Sequence, residues 1–171
     1  MKDHFAMFAG YNAWANARVY QAAAALSDAQ YREDRGAFFK SVHGTLNHLL
    51  ATDRIWMQRL TGNAATGPVP GRLDAILFVE LPDLHAARIA EDARIVAYID
   101  GLTEAALASS ISYVRVSAPE PITQQLAPAL AHLFNHQTHH RGQAHGLLTA
   151  ISGQAPELDL LYYQRLQAAK S

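Results

Sequence analysis

Apolar residues in the first part of the chain recur at three- and four-residue steps, at Phe5, Phe8, Tyr11, Ala15, Val19, Ala22 and Leu26. That spacing puts them on one face and predicts an amphipathic helix over residues 3–26, with Ser27 and Asp28 as the break after it. Beyond a polar stretch, Ser41 is placed to cap a second helix whose apolar stripe runs through Val42, Leu46, Leu49, Trp56 and Leu60 and stops at Gly62 and Asn63. Residues 62–72 contain Gly62, Gly67, Pro68, Pro70 and Gly71, so they read as a loop, with a third helix starting between Leu73 and Pro82 and reaching about Asp100. The segment from Ile111 to Val116 alternates and is rich in β-branched residues; with a second extended piece near Ile122 and Thr123 it predicts a small hairpin or an irregular connector. The helical pattern returns from Gln124 to Ser152. Gly153 and Pro156 then end it, before a short final helix from Glu157 to about Ala168. The whole, residues 1–171, reads as one all-α domain, a four-helix bundle in which a metal or cofactor site would be built from side chains on facing helices.

Composition narrows the chemistry. The net charge of −1 leaves no basic field to neutralise phosphates, which argues against nucleic acid and against attraction to a membrane surface. No apolar run approaches the roughly 20 residues of a membrane-spanning helix, and the first residues lack a signal-peptide core, so the cytoplasm is the expected location. There is no cysteine, which removes disulfides, thiolate nucleophiles and thiolate ligands and leaves any metal to His, Asp or Glu. Histidine is the anomaly. Of nine, five lie between His132 and His145.

On the fourth long helix an inward stripe can be traced through Ala129, Leu133, His136, His140, Ala144, Leu147 and Ile151. Residues four apart lie one turn up on the same face, so the imidazoles of His136 and His140 can converge on one ion at about 2.0–2.1 Å per Zn–N bond, or else be neutral core histidines bonded to backbone carbonyls. A third donor must come from another helix. His43 and His48 on the second helix are the candidates, and being five positions apart, about 140° around a helix, they would not both reach one ion. Periodicity does not choose between them.

The strings Tyr11-Asn-Ala-Trp-Ala-Asn16, Gly44-Thr-Leu-Asn-His-Leu-Leu-Ala-Thr-Asp-Arg-Ile-Trp56 and Asn135-His-Gln-Thr-His-His-Arg-Gly-Gln143 resemble, in order and spacing over nearly the whole chain, the DinB-like family of metal-binding bundles. The resemblance implies a four-helix bundle, often a homodimer, with a nickel or zinc ion held by three histidines. Carried over residue by residue, these are His48, His136 and His140. His139, about 100° round the helix from His140, reads as a surface or dimer-face residue, and His132, His145 and His4 read the same way. Asp53 is then either an acceptor orienting a histidine N–H or a salt-bridge partner of Arg54 or Arg141. Trp14 and Trp56 are core or pocket walls, and Arg141 and Gln143 either bind an anionic substrate or bridge helices.

Three neutral imidazoles leave a coordination position open, where a metal lowers the pKa of water towards 7 or polarises a thiol or carbonyl. The zinc peptidase motif places a glutamate after its first histidine, but that position here is Gln137, which cannot take a proton, so a peptidase is disfavoured. Relatives in the wider superfamily use the metal to activate a low-molecular-weight thiol. The resemblance therefore implies a metal-dependent thiol S-transferase or related detoxification enzyme, broadly a transferase or hydrolase, acting on a small thiol or electrophile. The competing expectation is a non-enzymatic, stress-associated module whose metal staples helices or senses a ligand.

Overall fold

The computed structural model describes residues 1–62, 70–115 and 118–170. Among them the chain is mostly helical, with a two-stranded antiparallel sheet. The long helices are α1 (Lys2–Ala24), α3 (Val42–Thr61), α4 (Leu81–Gly101) and α6 (Leu126–Ser152); the short ones are α2 (Asp28–Arg32), α5 (Glu104–Leu107) and α7 (Leu160–Ala168). Strands β1 (Ser110–Arg115) and β2 (Ala118–Gln125) pair directly in sequence. The hairpin expectation is met, although Val116 lies outside the described residues, as do positions 63–69 of the expected loop. Helix α2 falls where only a break was expected. Its Ser27 and Gln30 form a reciprocal capping box, which satisfies two orphan N–H groups and suffices for one turn.

Helix α3 begins as its sequence predicts: the Ser41 side chain accepts from Gly44 N at 3.1 Å, and Gly62 ends the helix with φ 70°, a left-handed cap that glycine reaches without steric cost. Gly44 has a second reason to be glycine. A Cβ there would strike the Phe39 carbonyl, so the missing side chain lets the turn over residues 37–40 lie directly on the first turn of α3.

Helix α1 packs against α4 and α6, and α3 packs against the same two. The apolar contacts form two large groups, one at each end of these helices, and a smaller third one of Tyr11, Ala15 and Tyr163 where α7 meets α1. The first contains Phe5, Met57, Ile95, Ile99, Leu130 and Phe134; the second contains Val19, Leu46, Leu49, Leu84 and Leu148. Between them each long helix contributes buried polar side chains. Arg88 Nη1 lies 2.8 Å from Asp53 Oδ2, and Arg88 Nη2 lies 3.0 Å from Asp92 Oδ1. Asn16 donates to Asp92 at 3.0 Å and Asn12 at 3.2 Å, while Arg141 donates to Asn12 Oδ1 at 2.6 Å. This layer answers two open assignments. Asp53 pairs with Arg88 on α4 rather than with Arg54 or Arg141, because Arg54, one position on and about 100° round the helix, is placed over the Phe78 ring instead. Arg141 bridges α6 to α1, its guanidinium also lying over Tyr11.

Candidate metal centre

The inward stripe of α6 needs correcting. It runs through Ala129, Leu133, Gln137, Arg141, Ala144 and Leu148, all buried, whereas His136 and His140 are half-buried. A polar layer at the centre of the helices draws Gln137 and Arg141 inward. The two histidines, one position back, are rotated towards α3, on the flank of the core. Gln137 also donates to the Leu49 carbonyl of α3 at 3.3 Å, which fixes the two helices in the register that the histidines need.

His48, His136 and His140 come together: one ring nitrogen from each lies within 4.8 Å of the others, a group that could hold a metal ion. The His48 and His136 rings each lie with centroids 4.3 Å from that of His140. His48 is oriented by backbone. Its Nδ1 lies 2.7 Å from the Leu73 carbonyl, and since a carbonyl only accepts, Nδ1 must carry the hydrogen and Nε2 the lone pair. That Nε2 is buried and has no hydrogen-bond partner. A buried acceptor left so is costly, and a cation at the junction of the three rings would satisfy it. His140 is fixed the same way, its Nδ1 2.7 Å from Gln143 Oε1. Gln143 Nε2 in turn faces His139 Nε2 at 3.3 Å, consistent with that amide orientation. Both second partners leave Nε2 for an ion, as is usual for metal-binding histidines. All-imidazole donor sets suit late divalent ions.

Asn47, adjacent to His48, explains why the Leu73 carbonyl is in reach. Its Oδ1 accepts from Leu77 N at 2.8 Å and Phe78 N at 3.0 Å, and its Nδ2 donates to the Phe78 carbonyl at 3.1 Å. One buried amide thus straps the segment before α4 onto α3. His43 is used elsewhere, its Nε2 3.1 Å from the Phe78 carbonyl, and of the two it is His48 that lies with His136 and His140. Phe39 stacks on His48 with centroids 3.7 Å apart and meets His140 edge-on at 5.4 Å, so an aromatic ring covers one side of the group. Nothing in the sequence pattern singled it out.

The other expectations sort plainly. His139 is exposed beside His140; His4 packs on Phe5 and Phe8; His145 Nε2 lies 3.1 Å from the Pro156 carbonyl in the turn after α6. Trp14 joins Tyr11, Tyr162 and Tyr163 where α7 meets α1. Trp56 is both core and wall: 8% exposed, it faces a cleft of about 760 Å³ lined also by Arg59, Leu73, Tyr113, His132 and His136. His136 thus belongs to both the histidine group and the cleft. His132, one turn before it and against the Trp56 ring at 5.0 Å, is a cleft residue that the sequence reading set aside. Its i, i+4 relation to His136 was the available signal.

Burial lowers the pKa of all three grouped histidines, that of His48 to about 4 and that of His136 to about 3, with neighbouring imidazoles acting in the same direction. His48 and His136 are therefore neutral well below pH 6.5, where ordinary imidazoles are half protonated, and burial shifts His140 in the same direction. Three ordinary histidines would release about 1.5 protons on taking up a metal at that pH. This group should release far fewer than one, as read by calorimetry in buffers of different ionisation enthalpy. Release near 1.5 would show that burial does not hold the rings neutral.

No curated protein matches the chain. The model of the DinB family, however, matches residues 1–170, in agreement with the three strings that carry the resemblance, and the chain belongs to that family.

Proposed function

We propose that His48, His136 and His140 bind a divalent ion, nickel or zinc, and that the ion serves a thiol S-transfer reaction in the adjoining cleft. The observation that carries this reading is the position of His136, which belongs both to the histidine group and to the wall of a cleft large enough for a small substrate. The cleft would give a ligand a route to an ion held by the three histidines. The mutual packing of α1, α3, α4 and α6 supports a four-helix bundle as the scaffold.

The ion would supply a Lewis acid that favours the thiolate form of a bound thiol. The protein's own part is to favour the neutral form of the three imidazoles by burial, to orient His48 and His140 through the Leu73 carbonyl and Gln143, and to shield one side of the group with Phe39. In the transfer itself the sulfur lone pair forms a bond to the electrophilic carbon, the leaving group departs with the electron pair of the broken bond, and the thiol proton passes to water. No oxidant or reductant is consumed.

Protein charged with Ni²⁺ or Zn²⁺ and given a panel of low-molecular-weight thiols with 1-chloro-2,4-dinitrobenzene should form conjugate with at least one thiol, and the activity should vanish on chelation. The absence of turnover with every thiol would reject the transferase reading. The placement of donors on both α3 and α6 favours one alternative, a metal that staples the two helices. In that case chelation lowers the melting temperature steeply, and the cobalt-substituted protein gives a spectrum that added thiols do not change.

A further inference from the structure

The histidine group has an outer neighbour that a three-donor site leaves unused. His132 precedes His136 by one turn on α6, its ring centroid 5.8 Å from that of His136, against 5.2 Å between His136 and His48 inside the group. A separation at which two imidazoles can share an ion is therefore nearly repeated one turn outward, as residues four apart on a helix allow. Exposure falls in the same order: His132 is exposed, His136 half-buried and His48 2% exposed.

Among the described residues, one side of the group is covered by Phe39, which stacks on His48 and meets His140 edge-on. The cleft, by contrast, has both His132 and His136 in its wall, with His132 held against the Trp56 ring at 5.0 Å. His139 is also exposed beside the group, but its Nε2 faces the Gln143 amide at 3.3 Å. Being next to His140 in sequence, it lies about 100° away round the helix. An ion arriving from solvent must exchange water for imidazole, and a two-donor position on the way divides that exchange into smaller steps.

We propose that His132 and His136 form an entry position for the divalent ion, from which His132 hands it on to the group of His48, His136 and His140. The inference rests on the reading that these three bind an ion, and it adds the path by which they gain and lose it. His136 keeps its bond throughout, while His132 gives up its own as His48 and His140 take its place and water leaves. Only lone pairs change partner, so no proton, oxidant or reductant is needed. Three donors hold an ion more tightly than two, which makes the transfer run inward.

The test follows Co²⁺ uptake by the metal-free protein after rapid mixing, through the visible absorption of the bound ion, and its release from the loaded protein into saturating EDTA. Affinity is the ratio of release to uptake rates, so a residue used only in passage alters both by the same factor. His132→Phe keeps a ring against Trp56 but offers no lone pair. It should slow uptake and release alike by roughly fivefold or more and leave Kd within about twofold of the unmodified value. His132→Ala, which widens the cleft instead, should slow both as well, and His139→Ala should not slow uptake. Unchanged rates in the His132 variants overturn the proposal, as does uptake slowed by His139→Ala alone. A loss of affinity with faster release also overturns it, since His132 would then be a resident ligand. Should one His132 variant fail to fold, the other decides. No thiol is present, so conjugation can fail while these rates stand. Unmodified protein that takes up no Co²⁺ removes the three-histidine reading and the entry position with it, whereas unchanged rates in a protein that does take it up remove the entry position alone.

Discussion

Replacing Arg88 by methionine should destabilise the protein by about 3–5 kcal/mol, the loss typical of removing one partner from a buried ion pair. Arg88 is 1% exposed and faces Asp53 at 0% and Asp92 at 7%, so the variant would be left with two carboxylates in the core and no cation between them. Against a total stability of about 5–15 kcal/mol that is a large fraction, and for a chain of this length it corresponds to a fall in melting temperature of roughly 6–20 °C. The pH dependence distinguishes lost charge pairing from lost packing. Burial already pushes both carboxyls above the ordinary range, Asp53 to about 6, against the pull of Arg88. A folded-state pKa above the unfolded value means that the folded state binds more protons in the interval between them, so this contribution rises as pH falls from above 6 towards 4. Without Arg88 the carboxyls rise further. The deficit of the variant should therefore be largest near pH 7.5 and shrink towards pH 5. A deficit that is constant with pH would point to packing alone.

The second large effect concerns the ion. His136→Ala removes one of three donors and should weaken metal binding by well over 100-fold, since losing a mere orienting partner of a ligand already costs about 10–100-fold. His48→Ala should do the same. Gln143→Ala, which takes away the acceptor at His140 Nδ1, should fall within the 10–100-fold range. His43→Ala supplies the contrast: its ring is engaged with the Phe78 carbonyl, and metal affinity should be nearly unchanged. Metal content after dialysis against a competing chelator, on protein made without a histidine tag, measures all four. Unchanged affinity in His136→Ala and His48→Ala together would dispose of the three-histidine site.

Much of the fold was legible because helical spacing is a strong signal over long segments. The bounds of α3 follow from caps whose mechanism is local, whereas the start of α4 was bracketed only between Leu73 and Pro82 and lies at Leu81. The start of α6 was misplaced by two residues, because Gln124 and Gln125 continue strand β2 opposite Ile111 and Ser110, a pairing that depends on the hairpin and not on their own preference. The three histidines were named from residue strings, while the reason they sit at a cleft was not visible. A stripe drawn on the assumption that the core is apolar ran through His136 and His140, whereas the actual core has a polar middle that draws in Gln137 and Arg141. Asp53 was noticed but not its partner, because Arg88 lies on α4, outside the diagnostic strings, and burial of an arginine cannot be read from one sequence. Asn47 stood in plain view next to His48. Its role depends on the path of residues 73–78, which carry no periodic signal.

The histidine group has one member on α3 and two on α6, separated by about half of the chain. During synthesis an ion bound by this group would not be captured by His48 alone, because His48 emerges long before its companions and one imidazole holds a divalent ion poorly. Closing so long a loop carries an entropic cost that helix packing must meet first. On the proposed reading, metal would be taken up only after α3 and α6 have met, and the choice among competing metals would fall to a shaped site rather than to a nascent peptide.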